Sequence, residues 1–351
     1  MAPVLALPLP RGARVRLAQG LWLLSWLLAL AGSLALLGAS YLLAQLRALG
    51  AFLAPSCHFL AVPQAALLAG ATALATRLGV AGASRASLDA SWYPACRAPL
   101  GPLLLAGVLG GGGLLLAALG LALALPAGLD TGLQEGLGAA LAHYKDTEMP
   151  GHCHAKRLMD ELQLRHRCCG HHGYKDWFRV QWVSSRYLDP SDRDVADRIQ
   201  SNVEGLYLTN GVPFSCCNPH SPRPCLQSRL SDPYAHPLLD PWQPNLNLWA
   251  QGCHEVLLDH LQGLAGTLGS VLAFTFLLQA MVPLSLRYLQ MALEGLGGHI
   301  DGEGETQGYL LPGRLKDMPK RAWLQGGGAQ RRAPAEMPPE EAPAKEDLPE
   351  A

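Results

Sequence analysis

Four stretches of the chain are apolar almost without interruption: Gly20 to Leu43, Ala61 to Gly82, Gly101 to Leu125 and Leu264 to Leu286. Within each, the apolar positions are bunched rather than periodic, so no face is set aside for water. Crossing a bilayer takes ~20 mostly apolar residues, because the hydrocarbon layer is ~30 Å thick and a helix rises ~1.5 Å per residue. All four runs reach that length, and Arg77 in the second is the only charge they carry. The pattern predicts an all-α membrane protein: a four-helix transmembrane bundle with one large, mainly helical loop domain. The expected segments are an N-terminus over 1–19, spans over 20–43, 61–82, 101–125 and 263–286, a short loop over 44–60, and a connecting loop over 83–100. A large loop over 126–262 and a tail over 287–351 complete the division.

The first run follows Arg11, Arg14 and Arg16 and closes on Gly38, Ala39 and Ser40, features a cleaved secretion signal shares. Its apolar stretch exceeds the ~7 to 15 residues of a signal core. Trp22, Trp26 and Tyr41 also place aromatic rings near both ends, as interfacial anchoring requires. A retained span is expected. Orientation follows from cations near the helix ends, which stay cytoplasmic. Arg11, Arg14, Arg16, Arg85, Arg97 and Arg287 fall on one side, against Arg47 alone in the opposite short loop. Both termini are therefore expected in the cytoplasm, and the short and large loops together in the lumen.

Small residues recur at four-residue spacing at Ala31, Ala35 and Ala39, at Ala65, Ala69 and Ala73, and at Gly107 and Gly111. Such rows let backbones approach, which in lipid replaces the missing hydrophobic drive between helices. Arg77 raises a transport reading, since ionisable groups in hydrocarbon are often functional. It lies near the cytoplasmic end of its helix, however, where a long side chain snorkels to the headgroups.

The large loop has its own pattern. Leu129, Leu133, Leu137 and Leu141 form a helical stripe; a second runs through Cys153 to Arg167 by way of Leu158 and Leu162, and a third, from Leu248 to Leu261, leads into the last span. Between them Tyr174, Trp177, Phe178, Trp182, Tyr187, Tyr207 and Phe214 gather aromatic rings among turn signals such as Asp189-Pro190 and Asn210-Gly211. This irregular section is the expected partner-binding surface. After Arg287 the composition turns polar and proline-rich, ending PPEEAPAKEDLPEA, which predicts a disordered tail. Within it, Tyr309 to Leu324 mixes apolar and basic residues as a membrane-surface helix would, though Pro312 and Pro319 interrupt it.

Composition narrows the function. The chain has 351 residues, 49% of them hydrophobic and only 16% charged, with a net charge of −1, which excludes the basic footprint of a nucleic-acid binder. Seven of nine cysteines, Cys153, Cys168, Cys169, Cys216, Cys217, Cys225 and Cys253, share the large loop, as expected of a disulfide framework in an oxidising compartment. His152, His154, His166, His171 and His172 lie nearby, so zinc was a possible reading. The adjacent pairs Cys168-Cys169 and Cys216-Cys217 lack the C-x-x-C spacing that wraps a tetrahedral ion, and no third group completes a Cys-His nucleophile. No metal, cofactor, small-molecule substrate or catalytic residue is expected, and the chain is not expected to be an enzyme.

Four spans, a short first and long second extramembrane loop, the triplet Cys168-Cys169-Gly170 and further cysteines before the last span make the chain resemble the tetraspanins. LAQGLW (17–22), HYKDT (143–147), YKDWF (174–178), QWVSSRYLD (181–189), NGVPFSCCNPHSPRPC (210–225), NLWAQGC (247–253) and RYLQ (287–290) narrow the likeness to the subfamily of peripherin and the rod outer segment membrane protein, leaning to the latter. Claudins also have four spans, but their long loop is the first. The resemblance covers the chain to about Gly298. Two departures stand out: the large loop has no Asn-x-Ser/Thr sequon, and Gln279 stands in the last span where many members carry a carboxylate.

The resemblance implies a structural protein of photoreceptor outer-segment disc rims that associates with itself and with peripherin. The other reading is a general tetraspanin organiser that recruits other membrane proteins through its large loop. Six cysteines allow fifteen pairings. The resemblance implies Cys168 with Cys253, Cys169 with Cys216, and Cys217 with Cys225, and it implies an intermolecular disulfide for the odd Cys153.

Overall fold

The computed structural model describes residues 7–53, 60–88, 107–222, 224–232, 247–294 and 304–308. Helix α1 spans Arg11–Ala48, α2 Ala61–Leu88, and α3 Gly113–Ala142, entered through a π-helical turn at Gly107–Gly112. The loop domain adds α4 (Ala155–His166) and α5 (Arg193–Gln200), and α6 runs from Cys253 to Glu294. Strands β1 (Leu7–Leu9) and β2 (Thr306–Gly308) form a two-stranded antiparallel sheet. Arg97, most of the connecting loop, part of the short loop, the stretch 233–246 and the proposed surface helix at 309–324 lie outside the described residues.

The four long helices close a ring in which α1 packs on α2 and α6, and α3 packs on α2 and α6. Among the described residues, three segments are long and apolar enough to cross a membrane: Arg11–Ala48, Gly110–Ala142 and Cys253–Leu293. Helix α2, with 28 residues, takes the fourth place in the bundle. Its two threonine hydroxyls are satisfied inside the helix, as a low-dielectric surrounding demands. The Thr72 hydroxyl donates to the Ala69 carbonyl at 2.9 Å, and Thr76 to that of Thr72 at 2.8 Å. Arg77 places its guanidinium 4.1 Å from the centre of the Trp26 ring on α1, so its partner among the described residues is an aromatic face. The outward surfaces carry Leu30, Leu37, Leu68, Leu123, Phe274 and Leu277, all exposed, which is the arrangement of a bundle solvated by lipid.

Small residues set the helix spacing. Ala31, Ala35 and Ala39 are buried along α1, facing Ala66, Ala69 and Ala73 on α2. The expected Ala65 is only partly buried, because the face of α2 turned to α1 follows the 66, 69, 73 register. At the closest approach, a Cβ on Gly70 would lie 2.9 Å from Leu36 Cγ and 3.1 Å from the Gly32 carbonyl oxygen. Backbones meet there because neither residue has a side chain. In the π-helical turn before α3, a Cβ at Gly111 would collide with the amide of Gln279, which is buried and donates to Thr76 Oγ1 at 3.5 Å.

At one end of the bundle the segment before α1 meets a segment beyond α6. Leu7–Leu9 pair with Thr306–Gly308, and the fully buried Arg14 donates from Nη1 to the carbonyls of Leu9 at 3.1 Å and Gly304 at 2.9 Å, and to Thr306 Oγ1 at 3.1 Å. Within the described part of the tail, α6 reaches Glu294 and residues 306–308 form a strand, and these residues supply acceptors for a guanidinium that lies inside the protein.

At the other end, α3 continues through Pro126 and α6 begins well before the apolar run, so both helices carry the loop domain without a break. Leu129, Leu133, Leu137 and Leu141 on α3 and Leu257 and Leu261 on α6 are buried in one core that extends from the spans into the loop domain. Tyr144 and Trp177 cap it, edge to face with ring centres 4.8 Å apart. The Tyr144 hydroxyl donates to Asp160 Oδ1 at 2.7 Å, and burial followed by the Asp160 carboxylate pushes its pKa far above the ordinary phenol value. The Ser215 hydroxyl lies 2.7 Å from both Asp160 Oδ1 and Gln163 Oε1, tying α4 to the turn at Phe214–Cys216.

Three disulfides close this domain: Cys168–Cys253, Cys169–Cys216 and Cys217–Cys225, with Cα separations of 4.8, 5.0 and 5.7 Å. Adjacent cysteines thus serve different partners. Cys168 and Cys169 tie one turn both to the start of α6 and to the irregular section. Gly170 follows at φ +71°, in the left-handed region, and a Cβ there would also collide with the Gly173 carbonyl.

Two outcomes follow. Gly70→Leu overpacks the α1–α2 contact, and thermal unfolding in detergent should show a loss of about 1–3 kcal/mol relative to the parent. Cys169→Ser removes a bridge whose loss from a small domain costs about 2–5 kcal/mol; fractionation of expressing cells should find the variant retained in the endoplasmic reticulum and depleted overall.

Candidate functional site

The aromatic residues divide into two sets once folded. Tyr174–Arg179 form a 3₁₀ turn, in which residues three apart eclipse one another. That turn aims Trp177 into the core, where it is 0% exposed. Trp177 is therefore a packing residue, correcting its assignment to the partner-binding surface; a ring this large gains more from the shared core than from solvent contact. Tyr174 and Phe178 meet edge to face at 5.9 Å, and with Trp182 they lie partly buried against the same core. Tyr207 is also half-buried; its backbone N–H donates to Gln181 Oε1 at 3.1 Å and its ring faces Arg198. Tyr187 and Phe214 remain as true surface aromatics, 75% and 69% exposed. Both sit on short 3₁₀ turns, Ser185–Tyr187 and Phe214–Cys216, whose other faces are fastened by Gln181 and by Ser215. Rigid turns carrying exposed rings hold contact area at low entropic cost.

Cys153 is exposed and its thiol is free. It sits in the turn that joins α3 to α4, where the backbone N–H groups of His152 and Cys153 both donate to the Met149 carbonyl at 3.1 Å. His152 stacks on His143 with ring centres 3.9 Å apart, and His143 in turn lies 3.0 Å from Asp146 Oδ2. A cleft of about 510 Å³ opens beside this turn, between Phe52 of the short loop, Ala139 of α3 and His143 just beyond it, and His152, His154 and Leu158. The thiol thus stands on a fixed, solvent-facing turn, apart from the three closed bridges.

A third grouping was not legible from the cysteine spacing. His171, His172 and His254 gather with ligand atoms all within 4.8 Å of one another. His254 follows Cys253, and His171 stands three positions after Cys168, so the bridge between those cysteines brings the imidazoles together across 82 or more residues of chain. Asp176 Oδ2 fixes the neighbouring backbone by accepting N–H bonds from His171 at 3.1 Å, His172 at 2.6 Å and Gly173 at 3.0 Å. Burial first, then His172 and His254, lowers the pKa of His171 below its ordinary value, which keeps that ring neutral. The clue in the sequence was the pairing of cysteines, not the spacing of histidines.

Comparison with known proteins places these features in a family. The Tetraspanin family model matches residues 17–290. Rod outer segment membrane protein 1 of Homo sapiens is 76% identical over 351 residues, all of both chains, and that of Bos taurus is 74% identical over the same extent. Peripherin-2 of Xenopus laevis is 38% identical over 312 residues, 88% of this chain and 89% of that protein. A ring of four long helices, a disulfide-closed domain between the third and fourth, the Cys-Cys-Gly turn and the family match agree: the chain belongs to the tetraspanin family.

Proposed function

We propose that this tetraspanin is a structural component of photoreceptor outer-segment discs, which associates with itself and with peripherin to build and stabilise the curved disc rim. The observation that carries the reading is the free, exposed Cys153 on its rigid turn, in a domain whose other described cysteines are all paired. In an oxidising lumen such a thiol is suited to an intermolecular bridge. Whole-length similarity to proteins named for the rod outer segment membrane, and to peripherin-2 over most of the chain, supports the tissue and the partner. Arginine asymmetry supports cytoplasmic termini and a lumenal large loop.

The mechanism is geometric. A disulfide-stiffened head on a compact lipid-solvated bundle acts as a wedge. Non-covalent contact through Tyr187 and Phe214 pairs the heads, and the Cys153 bridge joins pairs into rows along which the membrane must bend. Forming that bridge oxidises two Cys153 thiols, and the two electrons and two protons pass to a disulfide-bearing oxidant of the lumen by thiol–disulfide exchange. Membrane lipid is a partner only as the solvent of the outward leucines.

Non-reducing electrophoresis and sedimentation of Cys153→Ser, expressed alone and with tagged peripherin, test this. The variant should leave the endoplasmic reticulum, keep its non-covalent assembly and its co-purification with peripherin, and lose the disulfide-linked dimer. A surviving covalent dimer, or a variant that misfolds, would place Cys153 among the folding cysteines and remove the linkage. Foreign receptors or proteases outnumbering peripherin and self-association in the same pull-down would favour the general organiser instead.

A further inference from the structure

We propose that His171, His172 and His254 form a binding site for a divalent transition-metal cation, Zn²⁺ being the ion the donor set suits. Three imidazole rings converge, with centres 4.0 Å apart for His171–His172, 5.2 Å for His171–His254 and 5.5 Å for His172–His254. A tetrahedral zinc ion with bonds of about 2.0–2.1 Å holds its nitrogens about 3.4 Å apart. Ligand atoms within 4.8 Å of one another stand about 1.4 Å or less outside that spacing, a distance on the scale of small side-chain rotations.

Three further observations point to a cation. The Nε2 atom of His171 is buried with no hydrogen-bond partner, an arrangement that wastes a polar atom unless something binds it. His254, whose side chain is only 12% exposed, directs Nε2 to Asp130 Oδ1 at 3.2 Å and to the Asp130 carbonyl at 3.3 Å. A metal-bound histidine characteristically donates its second ring N–H to a carboxylate or carbonyl, which fixes the tautomer and leaves the other nitrogen free to ligate. His254 thus has Nδ1 left for the ion. The scaffold is also rigid: the Cys168–Cys253 bridge, N–H bonds from Cys253 to the Gly170 carbonyl at 3.2 Å and from His254 to that of His171 at 3.0 Å, and the Asp176 grip on residues 171–173 hold the ligands in register. Gly252 completes it, since a Cβ there would collide with the backbone of His171 and His172.

The chemistry fits the compartment. Where thiols are consumed in disulfides, imidazoles are the soft-to-borderline ligands left, and they suit zinc. Three protein nitrogens leave a fourth position for water, since Asp130 already receives the outer ring N–H of His254. Because Asp130 belongs to α3, His254 to α6 and His171 and His172 to the Cys-Cys-Gly turn, a bound ion would staple all three elements at the base of the head.

Full-length protein purified in mild detergent and stripped with a chelator would be titrated with ZnCl₂ against a fluorescent zinc indicator, with Tm followed in parallel. One ion per chain and a rise in Tm are expected. His172→Asn, which alters an exposed ring and keeps the backbone N–H that Asp176 accepts, should weaken binding at least tenfold, and His171→Asn with His254→Asn should abolish it. Asp130→Asn should cost about 10–100-fold, the usual effect of removing a histidine's orienting carboxylate. His166→Asn with His260→Asn, at a separate histidine pair, should leave stoichiometry and affinity unchanged. Absence of saturable binding, half an ion per chain, or unchanged affinity in His172→Asn would overturn the site; that last variant decides the matter even if the double variant fails to fold.

Discussion

The joining of residues 168–171 to residues 251–254 is the constraint on which the loop domain depends. A disulfide, three backbone hydrogen bonds and a left-handed glycine all act within a few residues there. Without that seam, α6 would have no fixed starting point, and the irregular section from Tyr174 onward would have nothing to return to. Cross-linking positions 85 residues apart removes a large share of the unfolded chain's freedom, and in the chain-entropy view longer loops gain more. The remaining bridges extend the seam outward: Cys169 reaches the turn at Phe214–Cys216, and Cys217 fastens the proline-rich excursion to Cys225.

The bundle obeys a different rule. In lipid, exposed leucines cost nothing, so cohesion between spans must come from close packing and from polar groups that find partners inside. Both are present on α2, whose glycine and alanine face lets α1 approach while Thr72, Thr76 and Arg77 are absorbed by a carbonyl, a neighbouring threonine and an indole ring. Head and bundle are nevertheless one hydrophobic body, since the leucine stripe from Leu129 to Leu141 carries the core of the spans directly into the disulfide-closed domain.

How much of this could be read from the sequence depended on range. Spans announce themselves through local bunching of apolar residues, and the leucine stripe through a local period, so the helices and the division into bundle and head were legible. Which cysteine reaches which could be stated only through a family resemblance, because residues alone leave fifteen pairings open. Contacts that join distant segments left no local trace. Arg14 counted only as one more cation near a helix end, because its acceptors, Gly304 and Thr306, lie about 290 residues away. Trp177 read as surface because a hydrophilic, turn-rich neighbourhood concealed a ring that points inward. The histidine cluster went unseen for the same reason, with His254 separated from its companions by most of the head.

The unbroken passage of α3 and α6 from bundle to head has a mechanical meaning. Thirty and forty-two residues of helix, about 45 and 63 Å long at 1.5 Å per residue, act as two parallel struts with no flexible joint at the membrane surface. A load that tilts the head is therefore delivered to the spans as torque instead of being dissipated in a hinge. The seating of Phe52 against Gly136 adds a third point of support from the short loop. Such a mount carries any tilt of the head into the spans themselves, where the packed helices must take it up together.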